Sequence, residues 1–406
     1  MDPRHTPEAE LFRKRVRDFL ADELPPGWRG LGAIEDRAEA EAFVERWRQT
    51  LADAGLLAVS WPAAYGGAGL SKLEQVVLVE ELARAGVPAM GVNDTFSIKM
   101  VGNTLLRWGT EEQKRGFLPR IISGDDRWCQ GYSEPDAGSD LAGLSTRAVL
   151  DGDRWVIDGR KVWTSRAREA NWIFLLARTD PDAARHKGIT FLLVPLDQPG
   201  VEIRPITMLS GETEFNEVFL DGATTPADHV VGEVNGGWAV AMTLLGHERG
   251  EEAATNPILF RAELDRLVAL VRERGLAGDP VVRQRLADLH ARCEIMRFLG
   301  YRILTGVLTG DGSLGAEASI SKLYWSEYHR DVAALAVDVL GPDAMVVEGR
   351  RPLRAYRTDD PGAPNTTGSW VGALYNATAG TIYAGTSEVQ RNILAETVLG
   401  LPKEPR

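Results

Sequence analysis

The central part of the chain repeats its apolar residues with a different period from the segments on either side. Residues 127–232 contain short β-branched and aromatic runs separated by turn residues, for example 172–176 and 190–194, as expected for strands. The flanking segments place apolar residues at helical spacing. A strand block inside a helical chain predicts an α+β multi-domain fold. The predicted domains are an N-terminal α-helical domain at 1–126, a middle β-domain at 127–233 and a C-terminal helical domain at 234–406.

Turn signals and apolar periodicity refine this organisation. The dipeptides Asp151-Gly152 and Asp158-Gly159 are both typical of hairpin turns. Segment 361–370, PGAPNTTGSW, is rich in turn formers and predicts a loop. The C-terminal helices are predicted at 239–274, 280–308, 315–340 and 387–399.

One loop in the β block concentrates turn residues and hydroxyl groups. Residues 131–140 read GYSEPDAGSD and follow a short apolar strand. Ser133 and Ser139 can bond nearby backbone groups, while Pro135 and Gly138 favour a bend. The loop could present hydroxyls and backbone N–H groups to a flat polar ligand. An ordinary turn between strands is the commoner alternative for such a stretch.

The composition is that of an ordinary soluble globule, with 44% hydrophobic and 26% charged residues. The net charge of −12 argues against nucleic acid as a partner, because phosphate binding needs clustered Lys and Arg. No apolar run has the roughly 18 residues that a membrane span needs. The two cysteines, Cys129 and Cys293, form no CxxC motif and fit a reduced cytoplasmic setting. We therefore expect a cytoplasmic protein without membrane contacts.

A dinucleotide-binding motif in the C-terminal part is excluded by its context. Residues 310–315 read GDGSLG and satisfy GxGxxG literally. That fingerprint should follow a strand and open a helix within a βαβ unit. Here it follows a long helical pattern, so we interpret it as a loop between helices.

Two strings at the start of the β block carry a family resemblance. The string GYSEPDAGSD at 131–140 resembles the TEPxAGSD signature of the acyl-CoA dehydrogenases, and VWTS at 162–165 resembles the WITN-type strand that follows it there. The strings WPAAYGGAGLS at 61–71 and GTEEQKRGFLPRIISGD at 109–125 are similar to further segments of the same family. Within them, Ser71 and Glu74 also predict a capping box at a helix start. The resemblance implies the acyl-CoA dehydrogenase fold, in which the C-terminal domain is a four-helix bundle.

The resemblance also implies an FAD site and assigns residues to it. In the family the first string meets the flavin pyrimidine edge and the thioester region, and the second lays its Trp along the flavin with a hydroxyl near N5. By position, the cofactor contacts carried over are Tyr132, Ser133, Ser139, Trp163 and Ser165. Ser139 is assigned to the substrate as well. Serine replaces the common threonine at 133 and 165, which keeps the hydroxyl.

The position of the catalytic base departs from the common family pattern. Much of the family uses the Glu of an IYEGTSxxQR string, which reads IYAGTSEVQR at 382–391 here, with Ala384 at the base position. Isovaleryl- and long-chain-type members carry the base elsewhere, immediately before an Arg, and Glu248 matches that position. Arg249 matches a family arginine that supports the substrate end of the site. The alternatives are a solvated Glu248 and a surface ion pair of Arg249 with a neighbouring glutamate.

Three further assignments come from the C-terminal string. By family analogy the backbone N–H of Ala384 bonds the thioester oxygen, together with a ribityl hydroxyl of the flavin. Thr386 and Glu388 match positions that contact the cofactor, often across a subunit interface. Some members have Gln at the position of Glu388.

Two family strings that complete the flavin site of a neighbouring subunit are absent. The RxxFG region reads RERGLAGDP at 272–280, and the QxxGGxG region reads DVLGPDA at 338–344. Two assemblies therefore remain open. One is a homo-oligomer, a dimer or tetramer; the other is an α2β2 heterotetramer in which a different subunit supplies the missing contacts.

The function implied is FAD-dependent α,β-dehydrogenation of an acyl-CoA thioester to the trans-2-enoyl-CoA, with electrons passed to an electron-transfer flavoprotein. The displaced base suggests space for a branched, long or polycyclic acyl group. Segment 349–380 could shape the acyl pocket or form a surface excursion. Two alternatives are a flavin-dependent monooxygenase or oxidase on the same fold, and a base-bearing subunit that needs a different partner chain to complete its FAD site.

Overall fold

The computed structural model describes the backbone of residues 6–309, 314–354 and 358–403, with side chains for all of these except 246–254, 307–309 and 314–318. The chain forms two compact units. The helical unit comprises Met1–Val44, Leu70–Ala89 and Arg249–Arg406, and the sheet unit comprises Glu45–Gly69 and Met90–Glu248. The predicted domain boundaries after residues 126 and 233 stay predictions.

The N-terminal part of the chain is helical, as its apolar periodicity predicts. Ser71 accepts a hydrogen bond from the backbone N–H of Glu74, and the Glu74 carboxylate accepts one from the backbone N–H of Ser71, which confirms the capping box. A π-helical segment, Thr95–Gly102, precedes α4. The helices are α1 (Pro7–Glu23), α2 (Arg37–Asp53), α3 (Lys72–Ala85), α4 (Asn103–Trp108) and α5 (Glu111–Ser123).

The β block folds into a seven-stranded sheet in the order β1-β4-β2-β3-β7-β6, with β5 paired to β4. The strands β1 and β4 run parallel, whereas β3 and β7 form a long antiparallel pair. Fully buried apolar side chains such as Ile173, Leu175 and Val218 form the core on one face. The strands are β1 (Trp128–Gly131), β2 (Arg147–Asp151), β3 (Arg154–Ser165), β4 (Trp172–Arg178), β5 (Ile189–Pro195), β6 (Val201–Pro205) and β7 (Phe215–Pro226).

Only one of the two predicted hairpin turns is a turn. Gly152 lies between β2 and β3 with a φ of 62°, which confirms the turn there. The prediction for Asp158-Gly159 was wrong, because this dipeptide lies inside β3 at a register shift between Ile157 and Gly159. A Cβ on Gly159 would lie 2.4 Å from the Oγ1 of Thr146. The glycine there permits close approach of two chain segments.

Four C-terminal helices share one apolar core. Their facing side chains include Leu267, Met296, Tyr328 and Trp370, so the predicted C-terminal helical bundle is confirmed. The four are α6 (Gly237–Glu273), α7 (Pro280–Thr309), α8 (Leu314–Leu340) and α9 (Thr367–Gly380), and they are followed by the short helix α10 (Ser387–Ile393) and a π-helical segment at Leu394–Val398. None of the helices in the described part of the chain is both long and apolar enough to cross a membrane.

The predicted loop at 361–370 was too long. Helix α9 begins at Thr367, and Thr366 is its N-cap, whose side chain accepts a hydrogen bond from the backbone N–H of Ser369. Threonine and serine are typical of both turns and N-caps, which explains the error. Full burial of Trp370 favours the helix over a surface loop.

We expect Gly102→Ala to destabilise the sheet unit. An added Cβ at Gly102 would lie 2.1 Å from Cζ2 of the buried Trp61, whose indole Nε1 donates to Asn103. Overpacking of this kind costs about 1–3 kcal/mol, so the midpoint of thermal unfolding should fall. The matched control is Gly116→Ala in α5, where an added Cβ meets nothing within 4 Å and the helix should gain up to roughly 1 kcal/mol. Equal midpoints for the two variants would contradict the packing argument.

Candidate active site

A buried ion pair connects the loop after β1 to strand β3. Lys161 is fully buried, and its Nζ donates to Glu134 Oε1 at 2.7 Å and to the Leu176 carbonyl at 2.8 Å. Glu134 also accepts from the backbone N–H groups of Ser145 and Thr146 at 2.6 and 3.0 Å. A buried carboxylate with this many donors is held in one position. The pair therefore fixes the loop relative to the strand.

The electrostatics of Glu134 follow from these contacts. Burial alone would raise its pKa, but the Lys161 ammonium and the hydrogen bonds from Lys161, Thr146 and Ser145 outweigh burial and lower the pKa to about 2. The carboxylate is therefore ionised at neutral pH. Sequence reasoning missed this pair, because Lys161 follows Arg160 in a polar stretch that gives no sign of burial.

The strand beyond Lys161 bulges and turns a tryptophan outward. The register of β3 against β7 shifts between Lys161 and Thr164. Trp163 lies in this bulge with a φ of 58°, in the left-handed region, and 58% of its surface is exposed. Bulges re-aim side chains, and such backbone strain in a residue other than glycine is common at functional sites. The ring of Phe215 packs edge-on to the indole, with centroids 6.0 Å apart.

Two of the predicted hydroxyl residues, Ser133 and Ser165, lie next to this bulge. The backbone N–H of Val162 donates to the carbonyl of Ser133 at 2.9 Å, which brings the loop and the end of β3 together. Ser133 and Ser165 are half-buried, whereas Ser139 is exposed. Tyr132 has a buried ring that packs edge-on to two core phenylalanines. The roles assigned to these residues stay predictions.

A buried polar pair before the β block anchors both ends of this arrangement. The side-chain amide of Asn93 donates to the carbonyls of Trp128 and Arg166 at 3.1 and 3.2 Å. Ser97, in the π-helical segment, accepts from the backbone N–H of Trp128 at 3.0 Å. Sequence reasoning missed both residues. The surrounding stretch, NDTFSIKM, mixes polar and apolar residues and does not single out either one.

The C-terminal string forms a turn between α9 and α10 in the helical unit. Ala384 and Gly385 have φ values of 52° and 89°, both in the left-handed region. The carbonyl of Ala384 accepts from Gln390 Nε2 at 3.1 Å, and that of Gly385 accepts from Lys322 Nζ at 2.6 Å. Within the described residues, no acceptor is within hydrogen-bond distance of the Ala384 N–H. That donor is available to a ligand.

The two residues assigned to the cofactor after this turn have local roles as well. Thr386 is the N-cap of α10, and its hydroxyl accepts from the backbone N–H of Val389 at 3.1 Å. The side chain of Glu388 is exposed, and hydrogen bonds from its own backbone and from Thr386 lower its pKa. A carboxylate in the first turn of a helix is favourable. Their cofactor contacts stay predictions.

The predicted base lies outside the described side chains. Glu248 and Arg249 belong to helix α6, but their side chains fall within 246–254. Their roles as base and as the arginine at the substrate end stay predictions. Residues 310–313 of the rejected GxGxxG stretch also lie outside the description. Helix α7 ends at Thr309 and helix α8 begins at Leu314, so the stretch follows a helix and not the strand that the fingerprint requires.

The described residues of the sheet unit fit a flavin. An exposed indole face at Trp163 suits stacking on a flat aromatic ring, and the hydroxyls of Ser133, Ser139 and Ser165 suit its polar edge. The buried Oγ1 of Thr164, next to the indole, makes no hydrogen bond to described atoms. An exposed aromatic side chain with hydroxyl groups nearby can hold a flat ring that has a polar edge, such as a flavin.

Comparison with family models gives three consecutive matches. The acyl-CoA dehydrogenase N-terminal domain matches residues 6–125, the middle domain matches 129–223 and the C-terminal domain matches 235–399. The predicted order of a helical N-terminal part, a central sheet and a helical C-terminal part is thus confirmed.

Relatives and solved structures agree with these matches. The chain is 44% identical over 402 residues to acyl-CoA dehydrogenase IpdE1 of Mycobacterium tuberculosis, which covers 98% of this chain and 99% of that protein. It is similar to the structure of the Tcur3481-Tcur3483 steroid ACAD, with 37% identity, a TM-score of 0.80 and full coverage of both chains. The ChsE4-ChsE5 complex from Mycobacterium tuberculosis is 32% identical, with a TM-score of 0.78 and full coverage of both chains. The chain is a member of the acyl-CoA dehydrogenase family.

Proposed function

We propose that the protein is an FAD-dependent enzyme that oxidises an acyl-CoA thioester to the trans-2-enoyl-CoA. The observation that carries the proposal is the exposed Trp163, held on a left-handed bulge whose neighbour Val162 is hydrogen-bonded to Ser133 of the 131–140 loop. Family members use FAD, and this chain keeps the residues that would hold it: Ser133, Ser139, Trp163 and Ser165. The Lys161–Glu134 pair keeps the loop and the strand in register.

The proposed reaction needs a hydride acceptor, a general base and a hydrogen-bond donor to the thioester oxygen. The reaction removes a proton from the α-carbon and a hydride from the β-carbon, and bound FAD supplies the acceptor for the hydride. Glu248 accepts the α-proton as general base. The N–H of Ala384 donates to the thioester oxygen, where negative charge develops as the proton leaves. The two electrons then pass to an electron-transfer flavoprotein.

The proposed acyl group is a bulky, steroid-derived one. One structural relative is described as a steroid ACAD, at 37% identity over the whole chain. Ala384 has only a methyl group where the common family pattern has a carboxylate side chain, which leaves space for a polycyclic acyl group. The absence of a carboxylate also removes a charge that an apolar acyl group would have to desolvate.

We further propose an α2β2 assembly with a different partner chain. In the region that replaces RxxFG, Arg274 pairs with Asp343 at 2.5 Å, and in the region that replaces QxxGGxG, Asp338 pairs with Arg285 of α7 at 2.7 Å. These arginines already have carboxylate partners, and exposed carboxylates would repel a diphosphate from a neighbouring copy. Two of the structural relatives carry paired names, Tcur3481-Tcur3483 and ChsE4-ChsE5. A partner subunit with the missing cations would complete the site.

The first test is the visible spectrum of the chain purified alone, with FAD quantified per chain and mass measured in solution. The α2β2 proposal expects less than one FAD per chain, and full occupancy after co-expression with a partner subunit. A self-sufficient homo-oligomer with one FAD per chain would contradict the α2β2 proposal and leave the dehydrogenase proposal intact.

The second test is anaerobic flavin bleaching by three thioesters: octanoyl-CoA, isovaleryl-CoA and 3-oxochol-4-en-24-oyl-CoA. We expect the steroid thioester to bleach the flavin fastest and the reduced flavin to be reoxidised by an electron-transfer flavoprotein. Fastest bleaching by octanoyl-CoA would contradict the acyl-group proposal. No bleaching by any of the three, with rapid oxygen consumption on a substrate without a thioester, would favour the oxidase or monooxygenase alternative.

A further inference from the structure

Helix α8 sends a buried lysine to the turn that carries Ala384. Lys322 is 5% exposed. Its Nζ donates to the carbonyl of Gly380 at 3.0 Å, where α9 ends, and to that of Gly385 at 2.6 Å. A buried ammonium is costly unless its protons are bonded. The two carbonyls on either side of the turn provide such bonds, so the lysine and the turn stabilise one another.

A second buried side chain holds the opposite side of the same turn. Gln390 is fully buried, and its Nε2 donates to the Ala384 carbonyl at 3.1 Å. The backbone N–H of Ser387 donates to the Thr381 carbonyl at 3.0 Å and closes the turn. A Cβ on Gly385 would lie 2.4 Å from Gln390 Nε2, so only glycine fits beside this amide.

These contacts act on the peptide units next to the Ala384 N–H. The carbonyls of Ala384 and Gly385 are both engaged by side chains from outside the turn, and Ala384 has a φ of 52°. A left-handed non-glycine residue costs of order 1–3 kcal/mol and persists only where surrounding contacts over-determine it. The lysine and glutamine supply those contacts, and the N–H of Ala384 stays without an acceptor among the described residues.

We propose that Lys322 is a positioning residue for the thioester-binding N–H of Ala384. The inference rests on the proposed dehydrogenation, because it assigns that N–H to the thioester oxygen. Lys322 holds the Gly380 and Gly385 carbonyls, keeps Ala384 in the left-handed region and orients the donor. Its positive charge next to the turn also favours the negative charge that develops on the thioester oxygen.

The test compares Lys322→Met, which removes both the charge and the donors, with Lys322→Arg, which keeps both. We expect anaerobic bleaching by the three thioesters to slow on the order of 10- to 100-fold in Lys322→Met, as for a misplaced reacting group. Lys322→Arg should retain most of the rate. Affinity for free coenzyme A, which lacks an acyl carbonyl, should not change.

A second measurement tests how firmly the turn is held and does not depend on catalysis. Hydrogen–deuterium exchange of the peptide that covers residues 381–388 should be faster in Lys322→Met than in the wild type. The matched control is Glu327→Gln, which breaks the 2.6 Å ion pair between α8 and Arg391 of α10 without touching the turn. Exchange and bleaching in that variant should match the wild type.

The outcomes separate the two proposals. Wild-type bleaching and exchange rates in a folded Lys322→Met variant would overturn the role of Lys322. If Lys322→Met does not fold, Lys322→Gln, which keeps a donor without the charge, carries the same comparison. A wild-type enzyme that none of the three thioesters bleaches would instead overturn the dehydrogenation, and faster exchange in the variant would still support the turn-holding role.

Discussion

Glu248→Gln should slow flavin bleaching by acyl-CoA about 1,000-fold, because general-base catalysis contributes roughly 10²–10⁴ in rate. Glutamine keeps the size and polarity of glutamate but cannot accept the α-proton. Flavin content and affinity for coenzyme A should not change, because the proposal assigns Glu248 no part in binding either one. Stopped-flow absorbance with 3-oxochol-4-en-24-oyl-CoA measures the rate.

The control for this experiment lies on the same helix. Glu251 is three residues further along α6, and Glu251→Gln should bleach at the wild-type rate. Bleaching of Glu248→Gln at the wild-type rate would remove Glu248 from the role of base.

Lys161→Met should produce the largest loss of stability among these substitutions. Removal of one partner from a buried pair leaves an uncompensated charge and costs about 3–5 kcal/mol. The carboxylate of Glu134 would lose its 2.7 Å contact with the ammonium, and within the described residues the loop would keep only its backbone hydrogen bond from Val162 to Ser133 as an attachment to β3 near Trp163. The midpoint of thermal unfolding should fall, and FAD should bind more weakly. Differential scanning calorimetry and flavin titration measure the two effects.

The same substitution should also change how the free energy of unfolding depends on pH in acid. In the wild type the pKa of Glu134 falls from its ordinary value of 4.5 to about 2. The pair therefore contributes fully above about pH 4.5, and its contribution is lost as the pH falls towards 2. Without the ammonium, burial raises the pKa of Glu134, so acid should no longer destabilise Lys161→Met over that range.

The double variant Lys161→Met with Glu134→Gln serves as the control. It contains no buried charge at this pair, and the glutamine oxygen can still accept from one of the two backbone N–H groups, those of Ser145 and Thr146, that bind the two oxygens of Glu134. We expect it to be more stable than Lys161→Met alone. A double variant less stable than Lys161→Met, or unchanged acid sensitivity in the single variant, would show that the pair does not hold the loop.

The sequence predicted the order of helices and strands because these depend on local periodicity. The helix–sheet–helix arrangement, the 131–140 loop and the capping box at Ser71 all follow from residues close together in the chain. The bulge at Trp163 could not be predicted in this way. It depends on the register of β3 against β7, more than fifty residues away in the chain, and register is set by the whole sheet.

The missed polar residues show the same limit. Lys161, Asn93 and Lys322 each contact backbone carbonyls that are distant in sequence or belong to another element. The residues around each of them are mixed polar and apolar, so the sequence marks neither their burial nor their partners. The start of α9 at Thr367 was misplaced for a local reason, because Thr and Ser are favoured both in turns and at helix caps.

The left-handed turn at Ala384 and Gly385 separates two tasks that the common family pattern combines at one position. The proposed donor to the thioester belongs to the main chain, so its orientation would depend on Gly385, Lys322 and Gln390 and not on the side chain at 384. A family with this turn can therefore exchange the residue at 384 without losing the donor. Selection can then relocate the proton-accepting group and resize the acyl cavity independently, which makes the turn a source of evolvability in substrate range.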